Sequence, residues 1–135
     1  MVFLKKVITA KLAGNILVIF MALLAVFHVL VLFGIVPFDI VWGGQIKDAS
    51  GSLIVLESIA LLVTLIFLGI IAAKTGYIRV NRLKKTVDVG VWVIFAYLLL
   101  NTAGNLTSQV SFENLILAPI TLLMALFALR LAIKK

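Results

Sequence analysis

Four apolar runs constrain this chain more than any other feature of it. They cover about residues 13–36, 53–73, 87–106 and 115–133. Each is close to the ~20 residues an α-helix needs to cross a ~30 Å hydrocarbon layer. The first carries one ionisable residue, His28, and the second is broken only by Glu57, Ser58 and Thr64. The third turns polar toward its end at Asn101, Thr102 and Asn105, and the fourth has Pro119 near its start. Lipid offers no partner to backbone N–H and C=O groups, so a segment of this kind satisfies them internally as a helix. The expected fold is therefore all-α: an integral membrane antiparallel four-helix bundle, with residues 1–135 forming a single membrane domain.

Composition agrees with that reading. The chain is 64% hydrophobic over 135 residues, whereas soluble domains are about 45–50% apolar. The net charge of +7 would raise the question of nucleic acid in a soluble domain. Here the basic residues flank the apolar runs, where topology signals and headgroup contacts place them, and no nucleic-acid partner is expected. The opening Met1-Val-Phe-Leu-Lys-Lys has the basic start of a signal peptide. The run behind it outlasts the ~7–15 residues of a signal core, so a retained first span is expected.

Orientation follows from the distribution of the 12 lysines and arginines. Lys5, Lys6 and Lys11 precede the first span. Lys74, Arg79, Arg82, Lys84 and Lys85 lie between the second and third, and Arg130, Lys134 and Lys135 end the chain. The other two loops hold Lys47 alone. The positive-inside rule then places both termini and the middle loop in the cytoplasm and the loop of residues 37–52 outside. The expected location is a bacterial inner membrane, crossed four times.

Each span also has a stripe unlike lipid. The stripes are Met21, Ala25 and His28 on the first span, and Glu57, Ala60 or Leu61, Thr64, Gly69 and Ala72 on the second. They are Tyr97, Asn101, Gly104 or Asn105, and Ser108 on the third, and Asn114, Ala118, Thr121, Ala125 and Ala128 on the fourth. Spacings of three and four share a helix face, and membrane helices meet through small and polar residues. Pro37 is expected to close the first span, and Pro119 to start or bend the fourth.

The polar residues that face inward gather toward the outer side. At 1.5 Å per residue, His28 lies ~12 Å below the outer boundary and Glu57 ~6 Å below it. A carboxylate in that position needs a partner, a proton or water. His28, Asn101, Asn105 and the loop backbone are its candidates, and a carboxylate beside an imidazole can act as an acid–base or ligand-orienting pair. Trp42 reads as an interfacial anchor or a pocket wall, and Gly43-Gly44 as a turn or as backbone dipping into the bundle mouth. The candidate ligand-binding set is Glu57, His28, Asn101, Asn105, Trp42 and Asp39, with the loop as a lid.

With one histidine and no cysteine, conventional zinc, haem and thiol chemistry lack their ligands. No metal or cofactor is expected. No nucleophile elbow or phosphate loop is present either, so catalysis is the less favoured expectation.

The string Pro-Phe-Asp-Ile-Val-Trp-Gly-Gly at residues 37–44, the Glu-bearing helix after it and Asn-Thr-Ala-Gly-Asn at residues 101–105 resemble a group of small, functionally uncharacterised bacterial four-span membrane proteins. The resemblance covers nearly the whole chain and implies a fold without an activity. Small multidrug transporters carry their glutamate in the first span, where this chain has His28, and quinone-linked thiol reductases need cysteines. The leading functional expectation is an outward-facing pocket that binds a small or lipid-like ligand in an accessory, sensory or lipid-modifying role. The alternatives are an oligomeric proton-coupled transporter or channel, and a structural subunit of a membrane complex. Expected partners are the bilayer, such a ligand, and a second copy or another membrane protein.

Overall fold

The computed structural model describes residues 1–42 and 51–134, and all its regular structure is helical. Gly43, Gly44 and Lys47, on which part of the loop reading rests, fall outside the described residues. A short helix, α1 (Val2–Val7), is followed by α2 (Ala10–Leu32), a 3-10 turn at Phe38–Ile40, α3 (Gly51–Thr75) and α4 (Lys84–Thr107). A π-helical turn at Phe112–Leu117 then leads into α5 (Ala118–Ala132). The four segments Ala10–Leu32, Gly51–Thr75, Lys84–Thr107 and Phe112–Ala132 are each long and apolar enough to cross a membrane.

The helices pack as two hairpins, α2 on α3 and α4 on α5, which close into a four-helix bundle through α2–α5 and α3–α4 contacts. The closest packing is within the hairpins. The core is a column of fully buried side chains from all four helices: Leu17 and Met21, Ile71, Val91, Ile94 and Leu98, Ala125, Ala128 and Leu131. Outside it, Ile19, Leu23, Ile59, Leu62, Val93, Leu100, Leu122 and Leu126 are exposed on every side. A soluble monomer rarely shows so much apolar surface, and lipid is the solvent that accepts it.

Small residues set the spacing. Gly14 faces Thr75, whose hydroxyl and methyl occupy the space a Cβ at position 14 would need. Across α3 and α4 a Cβ at Gly90 would come within 3.0 Å of the Ile70 side chain, a tight contact rather than an occupied space. On α5 the stripe of Ala118, Thr121, Ala125 and Ala128 is buried. Gly69, placed on the α3 stripe from sequence, meets nothing within 4 Å. The expected face of α4, with Tyr97, Asn101, Gly104, Asn105 and Ser108, lines a hollow inside the bundle, and the tightly packed face lies one residue on. Ile94, Leu98, Thr102 and Asn105 are buried, while Tyr97 is 44% exposed.

Helix ends explain the remaining differences. The first span stops at Leu32, four residues before the expected boundary. Gly34 takes φ +74°, its N–H donates to Val31 O at 3.0 Å, and the Ile35 N–H donates to Leu30 O at 2.9 Å. This is the paired 5→2 and 6→1 pattern of a Schellman ending, so a glycine rather than Pro37 ends α2. Gly76, at φ +103°, ends α3 in the same way, with the Tyr77 N–H on Ala72 O at 2.9 Å. Pro119 has no N–H to offer the turn before it. The chain enters α5 through a widened turn in which the Ala118 N–H reaches back to Glu113 O.

The end of the bundle that carries both termini is basic and tied together by polar contacts. Arg130, 6% exposed, donates from Nε to Ile8 O at 2.6 Å, fixing the extended residue between α1 and α2. The Tyr77 hydroxyl donates to Asn15 Oδ1 at 2.6 Å, and Lys11 Nζ sits 4.0 Å from the centroid of the Tyr77 ring.

Candidate functional site

The opposite end of the bundle is hollow. A cavity of about 700 Å³ lies among α2, α3, α4 and the π-turn, and its wall includes His28, Trp42, Glu57, Asn101 and Asn105. Five of the six residues singled out from sequence therefore share one space. Asp39 does not: it lies exposed on the 3-10 turn and is not part of the wall. That turn directs the chain so that Val41 packs inward with Val31 and Leu53.

Glu57 is the centre of the arrangement. It lies on the second turn of α3 and is 1% exposed. Its Oε1 accepts the indole N–H of Trp42 at 2.6 Å. Its Oε2 lies 2.7 Å from Nδ1 of His28, so one proton sits between imidazole and carboxylate. Isolated burial of a carboxylate is very costly, and paired, hydrogen-bonded burial is the form proteins tolerate. Of the partners expected for Glu57, His28 fulfils the role. Asn101 and Asn105 do not, and Trp42 supplies the second bond.

Trp42 reaches Glu57 from an unusual backbone. It is the one non-glycine residue with positive φ among the described residues, at 55°. A bulky side chain in that region is strained, and such strain persists only where the surroundings hold it. Here the indole bond to a buried carboxylate and the packing of Val41 beside it do the holding.

The remaining polar wall divides into satisfied and open groups. Thr102 donates to Thr121 Oγ1 at 3.0 Å, and Asn105 approaches the same oxygen at 3.5 Å, joining α4 to α5. The Ser108 hydroxyl donates to the Glu113 carboxylate, and Asn114 Nδ2 donates to Leu106 O at 2.6 Å, so the α4–α5 connection is pinned at the mouth. By contrast, the half-buried amide of Asn101 lines the cavity with no hydrogen-bond partner among the described residues. Nε2 of His28 is likewise without a partner among the described residues, where only its Nδ1 is engaged. Thr64, Thr107 and Gln109 add further polar groups to the wall, and most of the remainder is apolar or aromatic, with Phe20, Leu24, Phe27, Phe67, Leu98 and Ile120. The Phe67 and Tyr97 rings meet edge to face at 5.2 Å.

Sequence reasoning left Thr64, Tyr97, Glu113 and Thr121 out of the candidate set, although all four line the cavity. Glu113 had a readable signal, as an acid at the mouth of an apolar run. Thr64 and Thr121 read as packing residues, and each does bond a carbonyl on its own helix.

Chemically, the cavity offers an imidazole oriented by a carboxylate, an open amide and an apolar body. By its chemistry alone, such a combination suits a molecule with a polar head and an apolar remainder, and an imidazole held in this way can donate or accept a proton. Comparison of the chain with protein-family models, with curated proteins and with solved structures finds no match. The fold is a four-helix bundle whose helices are long and apolar enough to cross a membrane, with a hollow at one end lined by apolar side chains and a few polar ones.

Proposed function

We propose that this protein is a four-span protein of a bacterial inner membrane that holds a small or lipid-like amphiphile in an outward-facing cavity. The role is binding, in an accessory, sensory or lipid-modifying capacity, rather than conduction. The observation that carries the reading is the juxtaposition of a buried, doubly bonded Glu57 with open groups on His28 and Asn101, over one apolar space of about 700 Å³. Pockets of about 300–1,000 Å³ that are mostly apolar with a few placed polar groups are the usual form of small-molecule sites. The polar head would meet His28 Nε2 and the Asn101 amide, and the apolar part would lie against Phe20, Leu24 and Phe67. The charge distribution supports cytoplasmic termini and an outward cavity, since eleven of the 12 basic residues lie at or beyond the other ends of the spans.

The experiment is native mass spectrometry of protein extracted gently from its membrane, with Ala60→Phe as the comparison. Ala60 lines the cavity, and a phenylalanine ring there occupies part of the space in which the ligand would lie. The expected result is a stoichiometric small adduct on the wild type that Ala60→Phe lacks. No adduct on the wild type, or one that persists undiminished in Ala60→Phe, refutes the proposal.

A further inference from the structure

A second concavity, of about 380 Å³, opens at the other end of the bundle, where the chain passes from α3 to α4. Its wall includes Lys74, Arg79, Lys84 and Lys134, with Asp88 as the lone carboxylate among the lining residues. Two of the cations are already committed. Lys74 pairs with Asp88 at 2.5 Å, and Lys134 Nζ donates to Lys74 O at 3.1 Å, at the C-terminal end of α3. The other two are not. Arg79 and Lys84 are exposed and make no hydrogen bond or ion pair among the described residues.

The start of α4 adds an independent argument. This helix of 24 residues begins without a side-chain cap at Leu83 and without an acid in its first turn. It opens instead with Lys84 and Lys85, cations at the end where the helix dipole is already positive and the first N–H groups lack partners. Two like charges on a positive helix end are unfavourable by themselves. An anion seated between Arg79, Lys84 and the first turn of α4 would turn that repulsion into attraction, and helix N-termini with adjacent cations take phosphate readily.

We propose that this basic concavity is a phosphate-binding site, with Arg79 and Lys84 as its principal contacts. Lys74 and Lys134 would form its back wall, and the phosphate would belong to an anionic lipid headgroup or to a free phosphate-bearing molecule. The site is separate from the Glu57 cavity and does not depend on the function proposed for that cavity.

The test compares wild type, Arg79→Ala/Lys84→Ala and Lys5→Ala/Lys6→Ala by native mass spectrometry in micelles doped with phosphatidylglycerol or phosphatidylcholine. The last variant removes the same charge from α1, away from the concavity. Diffuse attraction to anionic lipid is worth about fivefold per juxtamembrane basic residue wherever it lies, so each variant should lose up to about thirtyfold from that source alone. A seated phosphate adds a directed charge-assisted bond to Arg79 and another to Lys84, each worth about tenfold or more, so phosphatidylglycerol retention should fall at least about a hundredfold further in the Arg79/Lys84 variant than in the Lys5/Lys6 variant. In parallel, inorganic phosphate is titrated onto delipidated protein while the melting temperature is followed. A rise that only the Arg79/Lys84 variant loses assigns the site to soluble phosphate. Selective lipid retention without that rise assigns it to the headgroup. Equal losses in the two variants mean diffuse surface charge and overturn the proposal, as does the absence of both lipid preference and phosphate effect. Arg79 and Lys84 are exposed and Lys84 opposes the helix dipole, so without ligand the Arg79/Lys84 variant should melt no lower than the wild type.

Discussion

Replacing Glu57 separates its shape from its charge, and the structure sets the size of each effect. The carboxylate accepts one hydrogen bond from Trp42 at 2.6 Å and shares a proton with His28 at 2.7 Å. Glu57→Ala strands both donors. A buried polar group left without a partner costs about 1–3 kcal/mol. Trp42 is 38% exposed and can turn to water, so its share falls at the low end, and a total of about 2–4 kcal/mol follows. Glu57→Gln keeps both contacts. Its carbonyl accepts the indole N–H, and its amide donates to Nδ1 once the imidazole proton moves to Nε2. Neutral hydrogen bonds are roughly half as strong as charge-assisted ones, but the requirement to bury a charge also disappears. The net change should stay within about 1 kcal/mol. At roughly 4 °C per kcal/mol for a chain of this length, Glu57→Ala should melt about 8–16 °C lower and Glu57→Gln within about 4 °C of the wild type. Thermal melts in mild detergent measure this. Because the chain has two tryptophans, Trp42 emission in a Trp92→Phe background reports the site directly. A Gln variant as damaged as the Ala variant would show that the charge itself holds the structure. Two variants that melt like the wild type would show that Glu57 does not join His28 to Trp42.

Two further outcomes test the bundle. Gly14→Ala should destabilise the α2–α3 hairpin by about 1–3 kcal/mol, the usual cost of overpacking, because its Cβ falls on the Thr75 side chain. Thr75→Ala should be partly compensating, so the double variant should melt higher than Gly14→Ala alone. The chain has no cysteine, so single cysteines report sidedness cleanly. Asp39→Cys should react with an impermeant maleimide on intact spheroplasts, and Asn81→Cys only after the membrane is opened. The reverse pattern would invert the proposed topology.

The four spans were legible because backbone chemistry in lipid allows little else, and because small and polar residues on α5 recur at alternating spacings of three and four. Helix ends were less so. Both Pro37 and Gly34 mark the end of α2, and the glycine wins because its left-handed φ closes two hydrogen bonds while the proline only forbids continuation. The six residues of α1 are too few to show a period. On α4, Asn101, Thr102 and Asn105 lie on adjoining faces. Periodicity cannot say which of them bonds α5 and which lines the cavity, and the division emerged only from Thr121 on the facing helix. The Trp42–Glu57 bond was also hidden. It depends on a positive φ at a tryptophan, which no propensity favours, and it makes Trp42 a partner of the buried acid.

The cross-section of the bundle bears on what such a protein can do. The polar wall reaches inward as far as Thr64 on α3, Tyr97 on α4 and Thr121 on α5. Beyond these, Leu17, Ile71, Val91, Ile94, Ala125 and Leu131 are buried at 0% exposure, in a layer with the close packing of a protein interior. An ion or polar solute crossing that layer would give up its hydration without any group to replace it. Under the proposed reading, a molecule reaching Glu57 therefore leaves by the side from which it entered, and a pair of copies does not alter this unless a polar path runs between them. The exposed Ile66 on α3, Val93 on α4 and Leu126 on α5 are apolar, and the exposed Trp92 beside Val91 offers an indole N–H that does not titrate. A proton-coupled conduit would need a chain of titratable groups on both sides of the layer. Here His28, Glu57 and Glu113 stand on one side and basic side chains on the other, with lipid-like packing between. Flux through proteoliposomes should accordingly be indistinguishable between wild type and Glu57→Gln, while adduct retention should differ. A flux that Glu57→Gln abolishes would require the apolar layer to open and would reverse the assignment.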